Sequence, residues 1–154
     1  MSRARVEIQG AQDVSRRIRN YNEAAKGEIV NAINATAQAI RSNAVKSIQR
    51  SPASGRVYVR GAGGNLSGTH QASSPGNPPR TDTGTLAGSI MAEVANTRNM
   101  TARVGVEGTV EYGFYLEFGT LHTEPRPFLE PARHAESRRH QQRIEAALKR
   151  AEPK

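Results

Sequence analysis

The chain of 154 residues contains no cysteine and no tryptophan. The absence of cysteine excludes disulfides, thiolate metal sites and a thiol nucleophile. No apolar run approaches the ~18–20 residues that a membrane-spanning helix needs, and the polar N-terminus is unlike a signal peptide. We therefore expect a protein that is made in the cytosol and has no membrane partner.

Apolar residues are also scarce, at 36% of the chain, against ~45–50% in a typical globular domain when glycine is counted as apolar. The length suits one domain with a modest core, so we treat residues 1–154 as a single domain. The 14 glycines and 8 prolines indicate that part of the chain stays outside that core. Partner subunits could supply the missing burial.

Acidic residues are outnumbered, and the net charge of +8 is unevenly placed. Residues 1–50 contain nine basic and four acidic residues, and residues 126–154 contain eight and four. Residues 51–125 contain five and six. The excess lies in the two segments that we predict as long helices. A basic protein of this kind binds DNA, RNA or an acidic protein surface, or simply has two solvated basic helix faces.

The first 50 residues predict a strand followed by one long amphipathic helix. Residues 4–9 alternate polar and apolar side chains, which is typical of a short half-buried strand. Asp13 is predicted to cap the helix that follows. From Val14 to about Ile48, apolar residues recur at helical spacing, and no proline interrupts them. We expect this helix to be continuous or to bend near Gly27.

Residues 51–82 differ from the regions on both sides. They contain six glycines and four prolines, and only residues 56–60 resemble a strand. More than about twenty residues without regular structure are uncommon inside a compact domain and usually mark a functional or disordered loop. We therefore predict a flexible loop at about 51–82, which is labile to proteases in the free subunit and becomes ordered on a neighbour.

Two strands and a second long helix follow this loop. Residues 90–94 and 102–107 each alternate in polarity, with a turn between them. Residues 110–119 fit a third strand or a helical turn, since periodicity cannot separate the two in so short a segment. A helix is predicted from Phe128 to about Arg150. The order predicts an α+β fold, in which the N-terminal strand and long amphipathic helix pack with the C-terminal helix on a small antiparallel β-sheet.

The segment 112–132 is the most informative part of the chain. It contains five of the seven aromatic residues, and aromatic side chains bury the most area per residue. We interpret it as a structural joint, with core-facing aromatics, a Gly-Thr stop, a turn, and a Pro-Phe that opens the last helix. The apolar face of that helix is predicted to contain Phe128, Ala132 and Ala135 and to fade by Arg139.

The titratable residues form no recognisable catalytic or metal site in the sequence. The histidines are His70, His122, His134 and His140. His122 with Glu124 would provide two metal ligands, too few for a closed site. Glu111 and Glu117 could form a carboxylate pair, but on a strand edge we expect them to be solvated. No phosphate-binding loop or nucleophile elbow occurs, so we expect no enzymatic activity, no cofactor and no metal ion.

Three blocks of the sequence, in this order, resemble one known family. The first is the predicted strand and long helix that ends near Ile48. The second is Pro-Gly-Asn-Pro-Pro at 75–79 followed by Thr-Gly-Thr-Leu-Ala-Gly-Ser-Ile at 83–90. The third is Tyr-Gly-Phe-Tyr-Leu-Glu-Phe-Gly-Thr at 112–120 followed by Pro-Phe-Leu-Glu-Pro-Ala at 127–132. The arrangement is similar to that of the tailed-bacteriophage neck and tail-completion proteins named after product ten of a lambda-like coliphage, although Gly113 stands where alanine is usual.

The resemblance implies structural motif residues, a function and partners. The motif residues are Gly84, Leu86, Tyr112, Tyr115, Glu117, Gly119, Thr120, Pro127, Phe128 and Pro131. The implied function is that of a virion neck or tail-completion protein, forming a ring of six subunits around the DNA channel between head and tail. The implied partners are connector or head-closure proteins, a tail terminator or tail tube protein, and the DNA that passes through the channel. The expected location is the virion, after synthesis in the cytoplasm of the bacterial host.

The C-terminal helix is the predicted docking surface of such a subunit. The candidate docking residues are Arg133, Arg138, Arg139 and Arg143. They would make salt-sensitive contacts with an acidic partner or with DNA. Two other functions remain open. A basic nucleic-acid-binding protein would need a reader helix or an aromatic stacking platform, and a tail-assembly chaperone would be absent from the finished particle.

Overall fold

The computed structural model describes residues 11–59, 68–108 and 110–152. The predicted strand at 4–9 lies outside these residues. The elements in chain order are α1 (Ala11–Gln49), β1 (Val57–Val59), β2 (Thr69–Gln71), α2 (Thr85–Gly88), β3 (Ile90–Glu93), β4 (Arg103–Val106), α3 (Tyr112–Phe118) and α4 (Leu129–Ala151). The strands form two antiparallel hairpins beside the helices, which confirms the predicted α+β class.

The predicted long helix is confirmed as α1, and it continues through Gly27 without interruption. A single glycine costs a helix only about 1 kcal/mol, which packing along the rest of the helix can offset. Asp13 was predicted as the N-cap, but it lies inside the first turn, where its carboxylate accepts a hydrogen bond from Arg16 at 2.7 Å. Its negative charge still favours this end of the helix, because it complements the helix dipole.

The helices α1 and α4 pack against each other in antiparallel directions. Arg150 Nε donates to the Glu28 carboxylate at 2.7 Å, and Asn43 Nδ2 donates to the Glu136 carboxylate at 3.0 Å. The middle of α1 therefore lies beside the end of α4. Both helices bury alanines, including Ala147, and such small side chains allow two helix axes to approach closely.

The hairpin of β3 and β4 is attached to α1 by polar side chains. Arg41 Nε donates to the Ile90 carbonyl oxygen at 2.7 Å. The Asn34 side chain donates to the Ala95 carbonyl oxygen at 3.1 Å and accepts from the Ala95 N–H at 2.7 Å. These three hydrogen bonds fix the position of the hairpin along α1. The strands β3 and β4 were both predicted from the alternation of polar and apolar residues.

The second hairpin, β1 and β2, lies within the segment 51–82. The strand β1 was predicted, whereas β2 was not, because its three residues show no apolar alternation. Beyond β2, the Gly76 N–H donates to the Pro125 carbonyl oxygen at 2.9 Å. Arg126 Nε donates to the Ser73 carbonyl oxygen at 3.2 Å. The later part of the segment thus contacts the chain just before α4, and the flexibility of the loop stays a prediction.

The hydrophobic core lies where the second half of α1 meets α2, β3 and the start of α4. Its buried members are Ala44, Ile48, Leu86, Ala87, Ile90, Val110, Phe128 and Ala132. Partly buried side chains pack around them from β4, α3 and α4; they include Ile40, Val104, Val106, Leu116 and Leu129. The first turns of α1 contribute nothing to this core.

Residues 112–118 form the helix α3, so the helical alternative is right and the third strand is wrong. The side chains of Leu116 and Glu117 turn inward beside the buried Gly113. These positions follow the i, i+3, i+4 spacing of one helix face. Strand alternation would instead have placed Phe114 and Phe118 inward.

The predicted last helix is confirmed as α4, but its buried face differs from the prediction. Ala135 is exposed, whereas its neighbour Glu136 is buried. The buried face does not fade by Arg139, because Ala147 and Ala151 are buried near the end of the helix. The reason is that α1 lies alongside α4 over most of its length and covers it up to the last turn.

Candidate functional site

The start of α4 is held by a side chain from α3. Glu117 is only 7% exposed. It accepts hydrogen bonds from the backbone N–H groups of Phe128, Leu129 and Glu130 at 2.8, 3.0 and 2.9 Å. Such N–H groups have no acceptor within their own helix, and a negative charge there complements the helix dipole. The expectation that Glu117 is solvated is therefore wrong, because helical α3 turns it inward.

A tight turn returns the chain from α3 to α4. The helix α3 ends at Gly119, whose φ of 77° favours glycine. A Cβ atom there would lie 2.9 Å from the Thr123 carbonyl oxygen. Thr120 pairs with Thr123, and the Arg126 N–H donates to the Leu116 carbonyl oxygen at 2.7 Å. The predicted Gly-Thr stop and turn are confirmed.

Apolar side chains on both sides of this joint are buried in the core. Phe128 is completely buried, and Pro127 before it is half-buried. Leu86 is buried in α2, which begins after Gly84 with a φ of 83°. Pro131 is exposed in the first turn of α4, where its missing N–H removes no hydrogen bond from the helix. Phe128 is therefore buried at the start of the last helix, where an anchor of the joint was predicted.

Gly113 lies where α3 comes closest to β4 and α2. A Cβ atom at this position would lie 3.0 Å from a methyl group of Val106 and 3.3 Å from one of Leu86. Both neighbours pack in or against the core. The glycine therefore lets α3 lie closer to the sheet than alanine would without a shift of these side chains.

Four of the five aromatic residues in the segment 112–132 are exposed, which corrects the expectation that they face the core. Phe114 and Phe118 are 63% and 68% exposed, and their ring centroids are 4.8 Å apart. Tyr112 and Tyr115 are also exposed. The expectation assumed strand alternation, but a seven-residue helix turns only one face inward. The result is an aromatic surface on the outer side of α3.

An apolar groove of about 510 Å³ lies beside these rings, between β4, α3 and the first turn of α4. Its apolar lining includes Val104, Val106, Val110, Phe114, Phe118 and Leu129. Glu107 and Glu111, both exposed, belong to its acidic edge. Exposed apolar depressions mark sites for other molecules. Arg133 also lines the groove, but glutamates outnumber it there. The groove therefore disfavours nucleic acid, whose phosphates carboxylates repel.

Two of the predicted docking arginines lie at the surface of α4. Arg133 donates to the Glu130 carboxylate through Nε at 2.8 Å and through Nη2 at 2.6 Å. This hydrogen-bonded guanidinium lowers the pKa of Glu130 to about 2. Arg138 is exposed and has no ion-pair partner among the residues that the structure describes. The Arg138 guanidinium can therefore reach a partner directly, whereas that of Arg133 would share a partner with Glu130.

The other two predicted docking arginines contact a buried carboxylate. Glu136 is 1% exposed. Arg143 Nη1 donates to its Oε2 at 2.9 Å, while Arg139 Nη1 and Asn43 Nδ2 each donate to its Oε1 at 3.0 Å. Arg143 also donates to the Thr36 hydroxyl at 3.2 Å. Burial raises the pKa of Glu136, but these hydrogen bonds outweigh burial and leave the pKa below its ordinary value.

Sequence reasoning missed the polar residues of α1 that hold its neighbours. The sequence did contain a pattern that could have indicated them: Asn34 and Arg41 are seven residues apart, as are Thr36 and Asn43. Residues seven apart lie on the same face of a helix. What the sequence does not reveal is the identity of their partners, which lie from 49 to 107 residues away along the chain.

Within residues 11–59, 68–108 and 110–152, no group of three or more His, Asp or Glu side chains is placed to hold a metal ion. His122 and Glu124, the pair considered from the sequence, are both exposed. In the same part of the chain, no helix has the length and apolar character needed to cross a membrane.

No protein-family model, curated protein or solved structure matches this chain. Its function is therefore inferred from the residues and their geometry.

Proposed function

We propose that the chain is a structural subunit of the virion neck of a tailed bacteriophage. Copies of it form a closed ring, six-fold in our proposal, around the DNA channel, and the ring joins the head to the tail. The three sequence blocks and their family resemblance motivate the assignment to the neck. The subunit acts by docking, both to further copies of itself in the ring and to other proteins, and it has no catalytic role.

The observation that carries the docking role is the surface of the joint between α3 and α4. Its inner side is held by Phe128 in the core and by the Glu117 cap on the start of α4. Its outer side exposes Phe114 and Phe118 beside an apolar groove. Exposed aromatic side chains on a well-fixed element are typical of protein interfaces, because little ordering entropy is lost when a partner covers them.

The partners in this proposal are connector or head-closure proteins on one side and a tail terminator or tail tube protein on the other. Arg138 is the best-placed docking arginine, because it is exposed and has no ion-pair partner among the described residues. Arg133 is also at the surface of α4, but it is paired with Glu130. Arg139 and Arg143 contribute to docking less directly, since both hydrogen bond to Glu136. DNA passes through the ring, and the protein reaches the virion after synthesis in the bacterial cytoplasm.

The test is a phage in which this gene is inactivated and then complemented. We expect filled heads and separate tails that fail to join, and we expect joined, infectious particles when the intact gene is supplied. The matched control is complementation by a chain with the exposed Lys149→Ala substitution. Normal infectious particles in the absence of the protein would rule out the neck assignment.

Two other functions give different outcomes in experiments on the same protein. Mass spectrometry of purified virions detects a neck subunit, whereas a tail-assembly chaperone is absent from finished particles. A basic nucleic-acid-binding protein would bind DNA as an isolated monomer, with an affinity that falls steeply as salt increases. The acidic edge of the groove speaks against DNA as the ligand of the exposed aromatic rings.

A further inference from the structure

The first turns of α1 extend beyond the rest of the domain. Every described side chain from residue 12 to residue 24 is exposed, and Ala25 is the first buried one. The end of α4 lies beside the next turn of α1, since Arg150 pairs with Glu28 at 2.7 Å. At ~1.5 Å per residue, the exposed segment forms a projection of about 20 Å.

This projection has an apolar stripe that no described residue covers. Val14, Ile18 and Tyr21 are all exposed, and Ile18 is 63% exposed. Their i, i+4, i+7 spacing places them on one face of the helix. The same face continues into Ala25, which is buried. The stripe that packs inside the domain therefore runs on past the end of α4.

The charges of the projection and of the groove beside α3 are opposite. Between residues 12 and 24 the helix contains three arginines, one aspartate and one glutamate, so its net charge is positive. Arg17 lies next to the apolar stripe, three residues after Val14 and one before Ile18. The groove between β4, α3 and α4 is apolar inside. Its charged lining residues are four glutamates and one arginine, so the lining is net negative; they are Glu107, Glu111, Glu117, Glu130 and Arg133.

We propose that residues 12–24 of one copy dock into the groove beside α3 of the next copy. Val14, Ile18 and Tyr21 would cover Phe114 and Phe118, with Arg17 near Glu111. This contact rests on the proposed function only in that copies of the chain must touch one another. Because the two surfaces differ, the contact is head-to-tail, and repetition of it yields a closed ring or an open chain.

The absence of cysteine from the chain allows this contact to be tested by cross-linking at introduced cysteines. One purified full-length variant has Ile18→Cys, and a second has Phe118→Cys. The two are mixed at high concentration with a short bismaleimide linker. Both positions are exposed, so the fold should be unchanged, which circular dichroism checks. The matched control pairs Ile18→Cys with Arg138→Cys, an exposed position of α4 away from the groove.

We expect the mixed dimer of the first pair to be the main cross-linked product and the control pair to remain largely monomeric. A single chain with both substitutions should give a ladder of dimers, trimers and larger multiples, since each copy then has both surfaces. Arg17→Glu should reduce the yield, and Glu111→Arg in the other chain should restore it. The proposal is overturned if the mixed dimer is no more abundant than in the control, or if the doubly substituted chain links only within itself.

The outcomes for this contact and for the neck assignment can be separated. A cross-linked ladder from a protein that mass spectrometry does not find in virions would support the contact and refute the neck assignment. A protein found in virions that gives no mixed cross-link, either in solution or in particles, would refute the contact and leave the neck assignment standing.

Discussion

Two buried glutamates, Glu117 and Glu136, hold different regions of the molecule together, and they do so by different means. Glu117 joins α3 to α4, and its three hydrogen-bond donors are backbone N–H groups in one helical turn. Glu136 joins α4 to α1, and its donors are the side chains of Asn43, Arg139 and Arg143. Both carboxylates have hydrogen-bond donors, but the backbone donors of Glu117 are fixed in a helix, whereas the side-chain donors of Glu136 can rotate.

The difference shows which region tolerates change. The backbone donors around Glu117 cannot move without unwinding the start of α4, and without the carboxylate they would lose their acceptors at a buried position. The guanidinium groups around Glu136 lie on long side chains, and that of Arg139 belongs to a side chain 66% exposed. They can turn to water if the carboxylate is removed. We therefore expect substitutions in the joint to cost more stability than substitutions between α1 and α4.

The largest effect is expected for Phe128→Ala, which removes the anchor of the joint. Phe128 is completely buried in the core, and truncation of a buried Phe typically costs about 3–5 kcal/mol. For a domain of this size the melting temperature should fall by roughly 10 °C. Chemical denaturation and calorimetry measure both quantities. The control is Leu148→Ala, a partly exposed apolar position on α4, for which we expect less than about 1 kcal/mol. Equal losses at the two positions would remove the distinction between the regions.

The next largest effect is expected for Glu117→Ala, which leaves three N–H groups without an acceptor. Hydrogen bonds to charged groups and buried unsatisfied donors suggest a loss of about 2–3 kcal/mol. The matched control is Glu111→Ala, an exposed carboxylate just before α3, where we expect a change within about 0.5 kcal/mol. Hydrogen exchange of the amides at the start of α4 should rise only in the first variant. Unchanged exchange in Glu117→Ala would show that another group caps the helix.

The success of sequence reasoning differed between these regions. The helix α1 was predictable because its apolar stripe extends over many turns, so tertiary contacts and helical periodicity agree. The turn at Gly119 was predictable because glycine is the residue that most readily adopts a positive φ, and Gly119 has one in the structure. The position of Phe128 as an anchor was also predictable, since it is a large apolar residue at a helix start.

The short helix α3 and the buried glutamates were not predictable in the same way. Alternation of residues 110–119 suited a strand as well as a helix, and seven residues are too few for periodicity to decide. The partners of Glu117 are backbone N–H groups 11 to 13 residues later. Almost every residue has such a group, so no residue type in the sequence identifies these partners. Ala135 was predicted inward because it is apolar, but Glu136 is buried instead. Arg143 compensates the charge of Glu136, and Asn43 donates a further hydrogen bond to it.

A smaller effect is expected for Glu136→Gln, and its size should depend on pH. The folded-state pKa of Glu136 lies below the ordinary value of 4.5. Its stabilising contribution is therefore complete above pH 4.5 and is lost as pH falls through the lower folded-state value. At pH 7 the variant should be less stable by about 1–2 kcal/mol, since neutral hydrogen bonds replace charged ones. The difference from the unsubstituted chain should shrink as pH falls from 5 towards 3.

Urea denaturation at several pH values measures this difference. The control is Glu145→Gln, an exposed position of the same helix. The shifted pKa of Glu130 affects both proteins equally and cancels from the difference. A stability difference that stays constant from pH 7 to pH 3 would mean that ionised Glu136 is not the partner of the two arginines.

Substitutions of the arginines around Glu136 should cost at most as much as Glu136→Gln, and the cost should fall as the exposure of the arginine side chain rises. Arg143 has a side chain 31% exposed and donates to both Glu136 and Thr36, so Arg143→Ala should cost about 1–2 kcal/mol. Arg139 is largely exposed, so Arg139→Ala should cost about 0.5 kcal/mol. Arg138→Ala, the control without an ion-pair partner in the described chain, should change stability by less than that. Added salt should reduce the difference in unfolding free energy between Arg139→Ala and Arg138→Ala, because screening weakens exposed ion pairs more than buried ones. If Arg139→Ala proves as costly as Arg143→Ala, the guanidinium groups around Glu136 are not free to turn to water, and the expected tolerance of this region is wrong.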